Sequence, residues 1–137
     1  MEPGHGLTNH FLGRAYLAQG QPAKAIEQLR RSNELLGQVP FSMGDLGFAL
    51  ASGRQRAEAQ QMLAGMKRKR EAGYYPAFAI AEIELGLGNV EAAIDWMEHA
   101  AEERNLGYYV PSADPIYNSI HAHPRFLALM QRMHLGS

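Results

Sequence analysis

Four groups of residues have types and spacings that chemistry would need. His121-Ala122-His123, with His134 nearby, has the His-x-His form of a metal site. On a strand that spacing puts both imidazoles on one side, but this segment reads as a turn entering a helix, with no carboxylate placed beside it. His123, immediately before Pro124, is better explained as a helix amino-terminal cap. His99 and Glu103 stand at i, i+4 on one helix, the arrangement of a general acid/base pair. A surface pair worth about 0.3–0.5 kcal/mol has the same spacing. Gly86-Leu87-Gly88-Asn89 matches the start of a dinucleotide loop only superficially. It follows a helix rather than a strand, and Glu91 occupies the place of the third glycine, so it reads as a turn. Lys67-Arg68-Lys69-Arg70 is the one dense basic run, and at the carboxyl end of a helix it complements the dipole. A nucleic-acid footprint needs a wider patch with stacking aromatics. Tyr74 and Tyr75 lie close, but they read as packing for the next helix. The expectation is therefore no enzyme, no cofactor, no metal and no nucleic-acid partner.

The elements that hold these residues follow from composition and then from periodicity. The chain has 137 residues, 46% of them hydrophobic and 20% charged, the mix of one globular domain. Thirteen Lys and Arg against fourteen Asp and Glu leave a net charge of -1, with no bulk pull toward polyanions. Cysteine is absent, which removes disulfides, thiolate catalysis and Cys-containing zinc sites. No apolar run approaches the ~18–20 residues that a membrane helix needs. The start, Met1-Glu2-Pro3-Gly4-His5-Gly6, lacks a signal peptide's basic region and apolar core, so a cytoplasmic location is expected.

The chain matches itself at a spacing of 34 residues. Leu12-Gly13 recurs as Leu46-Gly47 and as Ile80-Ala81. Ala25 recurs as Ala59 and Ala93, and Leu29 as Leu63 and Met97. Gly20 recurs as Gly88, while Arg54 fills the middle copy with Gly53 one place earlier. Ile26 and Ile94 match, with Gln60 between them. Each unit reads as two helices joined by a tight turn. In the first, Leu7, Phe11 and Ala15 share a face, Gly20-Gln21-Pro22 makes the turn, and a second helix over about Pro22–Leu36 buries Ala25, Ile26 and Leu29. Gly13, Gly47 and Ala81 are small enough to let the paired helices approach closely. One hairpin cannot enclose its own apolar face, so the three must stack.

This pattern resembles the tetratricopeptide repeat over about Leu7 to Arg104. The best copy is Leu12-Gly13-Arg14-Ala15-Tyr16, Gly20, Ala25 and Leu29. Leu50 replaces the tyrosine in the second copy and Glu84 in the third, where Pro76 opens the helix. The resemblance implies an all-α, right-handed α-α superhelix: one domain over 1–137, with repeats at about 6–38, 40–73 and 74–105 and a carboxyl-terminal cap at 106–137.

In that tail, residues 105–112 read as an irregular connection, followed by a helical turn near Asp114 to Ile120 and a last helix over about Pro124–Leu135. Phe126, Leu129, Met130 and Met133 give the last helix a buried stripe. Asp114-Pro115-Ile116-Tyr117-Asn118-Ser119-Ile120-His121-Ala122-His123-Pro124-Arg125-Phe126 is similar to the end of tetratricopeptide regions in bacterial winged-helix regulators, adenylate cyclase-like proteins and Ser/Thr kinases. His123 stands where that signature has an acidic or His residue. The match implies the interaction half of a larger signalling protein. The chain contains neither a winged helix nor a nucleotide-handling domain, so those activities do not carry over.

In such repeats the first helix of each pair lines a concave wall. Carried over residue by residue, the register puts Leu7, His10, Arg14 and Leu17 there from unit one, Phe41, Gly44 and Phe48 from unit two, and Tyr75, Phe78 and Glu82 from unit three. Tetratricopeptide domains that grip a carboxyl terminus use Lys and Asn at these places. His10 and Gly44 do not fit that clamp, and Arg14 is the sole cation. The expectation is a non-catalytic interaction module that binds a peptide or helix in an aromatic and aliphatic groove, with a regulatory or oligomerisation module as the alternative. Residues 1–73 carry +4 and residues 74–137 carry -5, which favours salt-sensitive self-association between copies.

Overall fold

Proline marks where the helices begin. A computed structural model describes residues 3–103 and 115–135. The helices are α1 (Pro3–Ala18), α2 (Pro22–Leu36), α3 (Pro40–Ser52), α4 (Arg56–Ala72), α5 (Ala77–Gly86), α6 (Val90–Glu102) and α7 (Pro124–Leu135), with a 3-10 turn over Pro115–Ile120 before α7. Proline occupies the first position of α1, α2, α3 and α7, where its missing N–H has no intrahelical partner to lose. Pro76 stands just before α5 as its cap residue. The described residues contain no strand, and the architecture is an α-α superhelix of antiparallel hairpins. The expected connection at 105–112 and Asp114 lie outside the described residues.

The 34-residue period is visible in the backbone itself. After α1, α3 and α5 the chain turns through the same hydrogen bond: Gln21 N–H to the Tyr16 carbonyl at 2.9 Å, Gln55 to Leu50 at 2.8 Å, and Asn89 to Glu84 at 2.9 Å. The residue before each donor is left-handed, with φ of 72° at Gly20, 69° at Arg54 and 85° at Gly88. This is the helix stop that glycine fits without strain. Arg54 adopts it with a side chain because the 34-residue register demands that conformation there. Gly53, one place earlier, has an ordinary φ of -94° and serves space instead: a Cβ on it would stand 2.8 Å from Ile26 Cδ1.

Packing follows the chain order, with one asymmetry. α1 packs on α2, α2 on α3, α3 on both α4 and α5, and α5 on α6. α5 is buried from Ala77 to Leu85, which accounts for a helix apolar nearly all round. α1, by contrast, barely touches α3. The small residues of the repeat serve two different contacts. A Cβ at Gly13 would come 2.6 Å from Leu29 Cγ inside its own hairpin, as expected, whereas one at Gly47 would come 2.4 Å from Ile83 Cγ1 on α5, in the next hairpin. The face of α1 carrying Leu7, Phe11 and Ala15 is exposed rather than buried.

Beyond α6, the 3-10 turn lies against α1, and α7 packs on α6 with Phe126, Leu129 and Met130 buried. Arg125 fastens this helix to α6. It donates to Glu91 (2.8 Å), Asp95 (2.6 Å) and Glu98 (2.8 Å). Those three acids stand at i, i+4 and i+7 on one face of α6. They raise the Arg125 pKa, Asp95 contributing most. His123 accepts the Arg125 backbone N–H on Nδ1 (3.2 Å), the expected helix cap, and turns Nε2 to Glu91 at 2.9 Å.

Arg54→Gly relieves the left-handed strain, and chemical denaturation is expected to show a gain of about 0.5–1 kcal/mol. Arg125, and then His123, hold the Glu91 carboxyl below its ordinary value of 4.5. A depressed folded value means that the stabilisation is complete above the ordinary value and is lost as pH falls through the folded one. Amide protection in α7 is therefore expected to drop on acidification below about pH 4.5 and on addition of salt. Glu91→Gln should blunt both effects. Protection in α7 that ignored acid and salt alike would remove this account.

Candidate functional site

Three helices present one residue face each to a common concavity of about 580 Å³. α1 contributes Leu7, His10, Phe11 and Arg14, at i, i+3, i+4 and i+7. α3 contributes Pro40, Phe41 and Asp45. Pro76 and, from α5, Phe78 and Glu82 close the third side. The concavity exists because α1 stands off from α3, while α3 and α5 are nearly in backbone contact: a Cβ at Gly44 would meet Ala79 Cα at 3.2 Å.

Its rim is apolar and exposed. Phe11 is 66% accessible, Leu7 42% and Phe41 36%. Its floor is charged and buried, with Asp45 and Glu82 each 2% accessible. Asp45 Oδ2 bridges the gap to α1, accepting from Arg14 Nη1 at 2.8 Å and facing His10 Nε2 at 3.1 Å. The His10 ring also sits edge-on to Phe41, with centroids 5.0 Å apart. A buried carboxylate is tolerated only with such partners. Asp45 thus ties α1 to α3 at a point where apolar packing does not.

Of the positions expected to line a groove, the structure brings Leu7, His10, Arg14, Phe41, Phe78 and Glu82 together. Leu17 and Phe48 are half-buried and pack against the core instead. Tyr75 is buried outside the concavity, where loss of water pushes its phenol up to about 12 and Lys69 Nζ lies 5.6 Å from its ring centroid. Gly44 is a packing position. Phe11, Pro40, Asp45 and Pro76 were not expected there. The i, i+4 partners of groove residues were the available signal: Phe11 follows Leu7, and Asp45 follows Phe41.

The other expected clusters resolve into structural contacts. His121 stacks on Phe126 (5.8 Å) while His123 turns to Glu91, so the two imidazoles do not converge. Glu103 pairs with Arg70 across helices rather than with His99, whose carboxylate neighbour is Glu102 at 3.8 Å. Within the basic run, Lys67 reaches Glu84 at 3.2 Å and Arg70 donates to the Tyr75 carbonyl at 2.8 Å, leaving Arg68 exposed. The Gly86–Asn89 segment is the turn between α5 and α6.

Residues 8–35, which cover most of the α1–α2 hairpin, match the family model of the tetratricopeptide repeat. No curated protein and no solved structure matches the chain.

Asp45→Ala is expected to cost about 2–3 kcal/mol in chemical denaturation, because it strips Arg14 and His10 of a buried partner. Amide exchange should quicken in α1 before it does in α5. Equal loss of protection in both helices would mean that Asp45 supports the core rather than the α1–α3 gap.

Proposed function

We propose that this chain is a non-catalytic protein–protein interaction module, which seats a peptide or a short helix in the groove between α1, α3 and α5. Exposed Leu7, Phe11 and Phe41 along the rim of one concavity are the observation that carries this reading. Contiguous apolar surface in water is retained where something covers it. The repeat match on residues 8–35 points the same way, since tetratricopeptide repeats generally mediate protein–protein contacts. In this reading the chain is one cytoplasmic domain of three repeats, at about 6–38, 40–73 and 74–105, closed by 106–137.

A regulatory or oligomerisation module, related to the carboxyl-terminal half of a bacterial signalling protein, is the second reading. The tail signature supports it: Arg125 and Phe126 are the residues that fasten α7 to the body. Under that reading the stacked repeats act beside a further domain, and copies associate through their opposed charges.

Peptide display on the intact chain tests the groove. Selected peptides are expected to bind the wild type and to lose at least about tenfold in affinity on Phe11→Ala/Phe41→Ala, with circular dichroism checking that the variant stays folded. Selected peptides that bind the double variant unchanged would exclude this surface.

A further inference from the structure

The tail joins the two ends of the stack. In a linear array of hairpins each unit meets only its neighbours, so the first and last units loosen independently. Here the 3-10 turn over Pro115–Ile120 lies against α1, in the first hairpin, while α7, which follows it, packs on α6 in the last. We infer that Pro115–Leu135 is a strap that couples α1 to α6, so that the fastening of α7 controls how firmly α1 is held as one wall of the groove. The last step rests on the groove reading above and adds how that site is regulated.

Each joint of the strap is made of identified side chains. Ile116, Tyr117 and Ile120 of the turn are buried. The Tyr117 ring stacks on Phe126 in the first turn of α7, with centroids 6.4 Å apart and planes at 17°, and His121 stacks on the same ring at 5.8 Å. Turn and helix are thereby held as one piece. Phe126, Leu129 and Met130 seat that piece by apolar burial, and Arg125 adds the ion pairs to Glu91, Asp95 and Glu98. Those pairs are open to water, so they are the joint that salt or a competing charged surface weakens. α1 is the wall most open to such control. It barely touches α3, with Asp45 spanning the gap, whereas α5 is buried from Ala77 to Leu85. Loosening α1 makes a ligand order one wall of its site before it binds, which costs affinity.

Amide hydrogen exchange on the intact chain tests the coupling, with Arg125→Ala as the variant and Arg125→Lys as its conservative counterpart. Arg125 lies outside the groove lining. Arg125→Ala is expected to speed exchange about fivefold in α7 and in α1 together, with α5 unchanged and Arg125→Lys falling between. Peptides selected on the wild-type groove should bind Arg125→Ala about threefold more weakly. Tyr117→Ala, which empties the joint between turn and α7, should loosen α1 as well, and if that variant does not fold, the Arg125 pair carries the test. Faster exchange confined to α7 would overturn the strap. So would equal loosening of α5, the mark of general destabilisation. Unchanged peptide affinity beside a loosened α1 would overturn its control of the groove. Peptides that ignore Phe11→Ala/Phe41→Ala would remove the groove reading alone, because the exchange measurement uses no ligand.

Discussion

No side chain fits at position 47. Its Cβ would lie within 2.4 Å of Ile83, so α3 and α5 approach closely, and the second and third hairpins form one tightly packed block. The first hairpin joins that block differently. α2 reaches α3 through Ile26 beside Gly53, while α1 is left standing away from α3. The gap between α1 and α3 therefore follows from where the small residues sit. Two helices of one wall nearly touch and the third does not, so the wall has a cleft.

A cleft lined only by apolar groups would tend to close or to recruit whatever is near. Here Asp45 sets its width. The carboxylate is buried at a desolvation cost of several kcal/mol, which its contacts with Arg14 and His10 offset. Such a bridge is short and directional, so it fixes a separation that apolar packing would leave soft. The same device recurs elsewhere. Glu84, buried where the first repeat has Tyr16, is held by Lys67 at 3.2 Å and Asn89 at 2.9 Å. Arg70 and Lys67 belong to the positive half of the chain and pair with Glu103 and Glu84 of the negative half. Part of the charge asymmetry seen along the sequence is thus taken up inside the molecule.

The hairpins were legible because their signals are local. Gly20, Pro22 and the apolar spacing of Ala25, Ile26 and Leu29 that follows them place α2, and Pro124 does the same for α7. The groove was less legible because a helix face is a matter of phase. Expecting Phe41, Gly44 and Phe48 to share a face rotates α3 slightly from its real orientation, in which Phe41 and Asp45 face the groove, while Gly44 abuts α5 and the Phe48 backbone abuts Gly86. That rotation comes from the close α3–α5 contact, a tertiary fact that a single repeat does not encode. Phe11 is absent from the expected groove positions for a related reason. Its spacing marks an apolar face correctly, but which side of the wall that face meets depends on α1 standing off.

The left-handed residue at each turn shows how a degenerate repeat keeps its geometry. Gly20 and Gly88 accept the conformation freely, and Arg54 accepts it at a cost that a marginal domain can carry only where the turn is over-determined. The over-determination is visible in the same hydrogen bond, at the same spacing, in all three turns. The residue type differs at this position while the backbone conformation does not. The shared turn sets the angle between paired helices, which places α1, α3 and α5 around the cleft. Position 45 lies outside the repeat pattern altogether, since its counterparts are Phe11 and Ala79. A charge appears there only in the middle hairpin, from which Asp45 reaches Arg14 and His10 of α1.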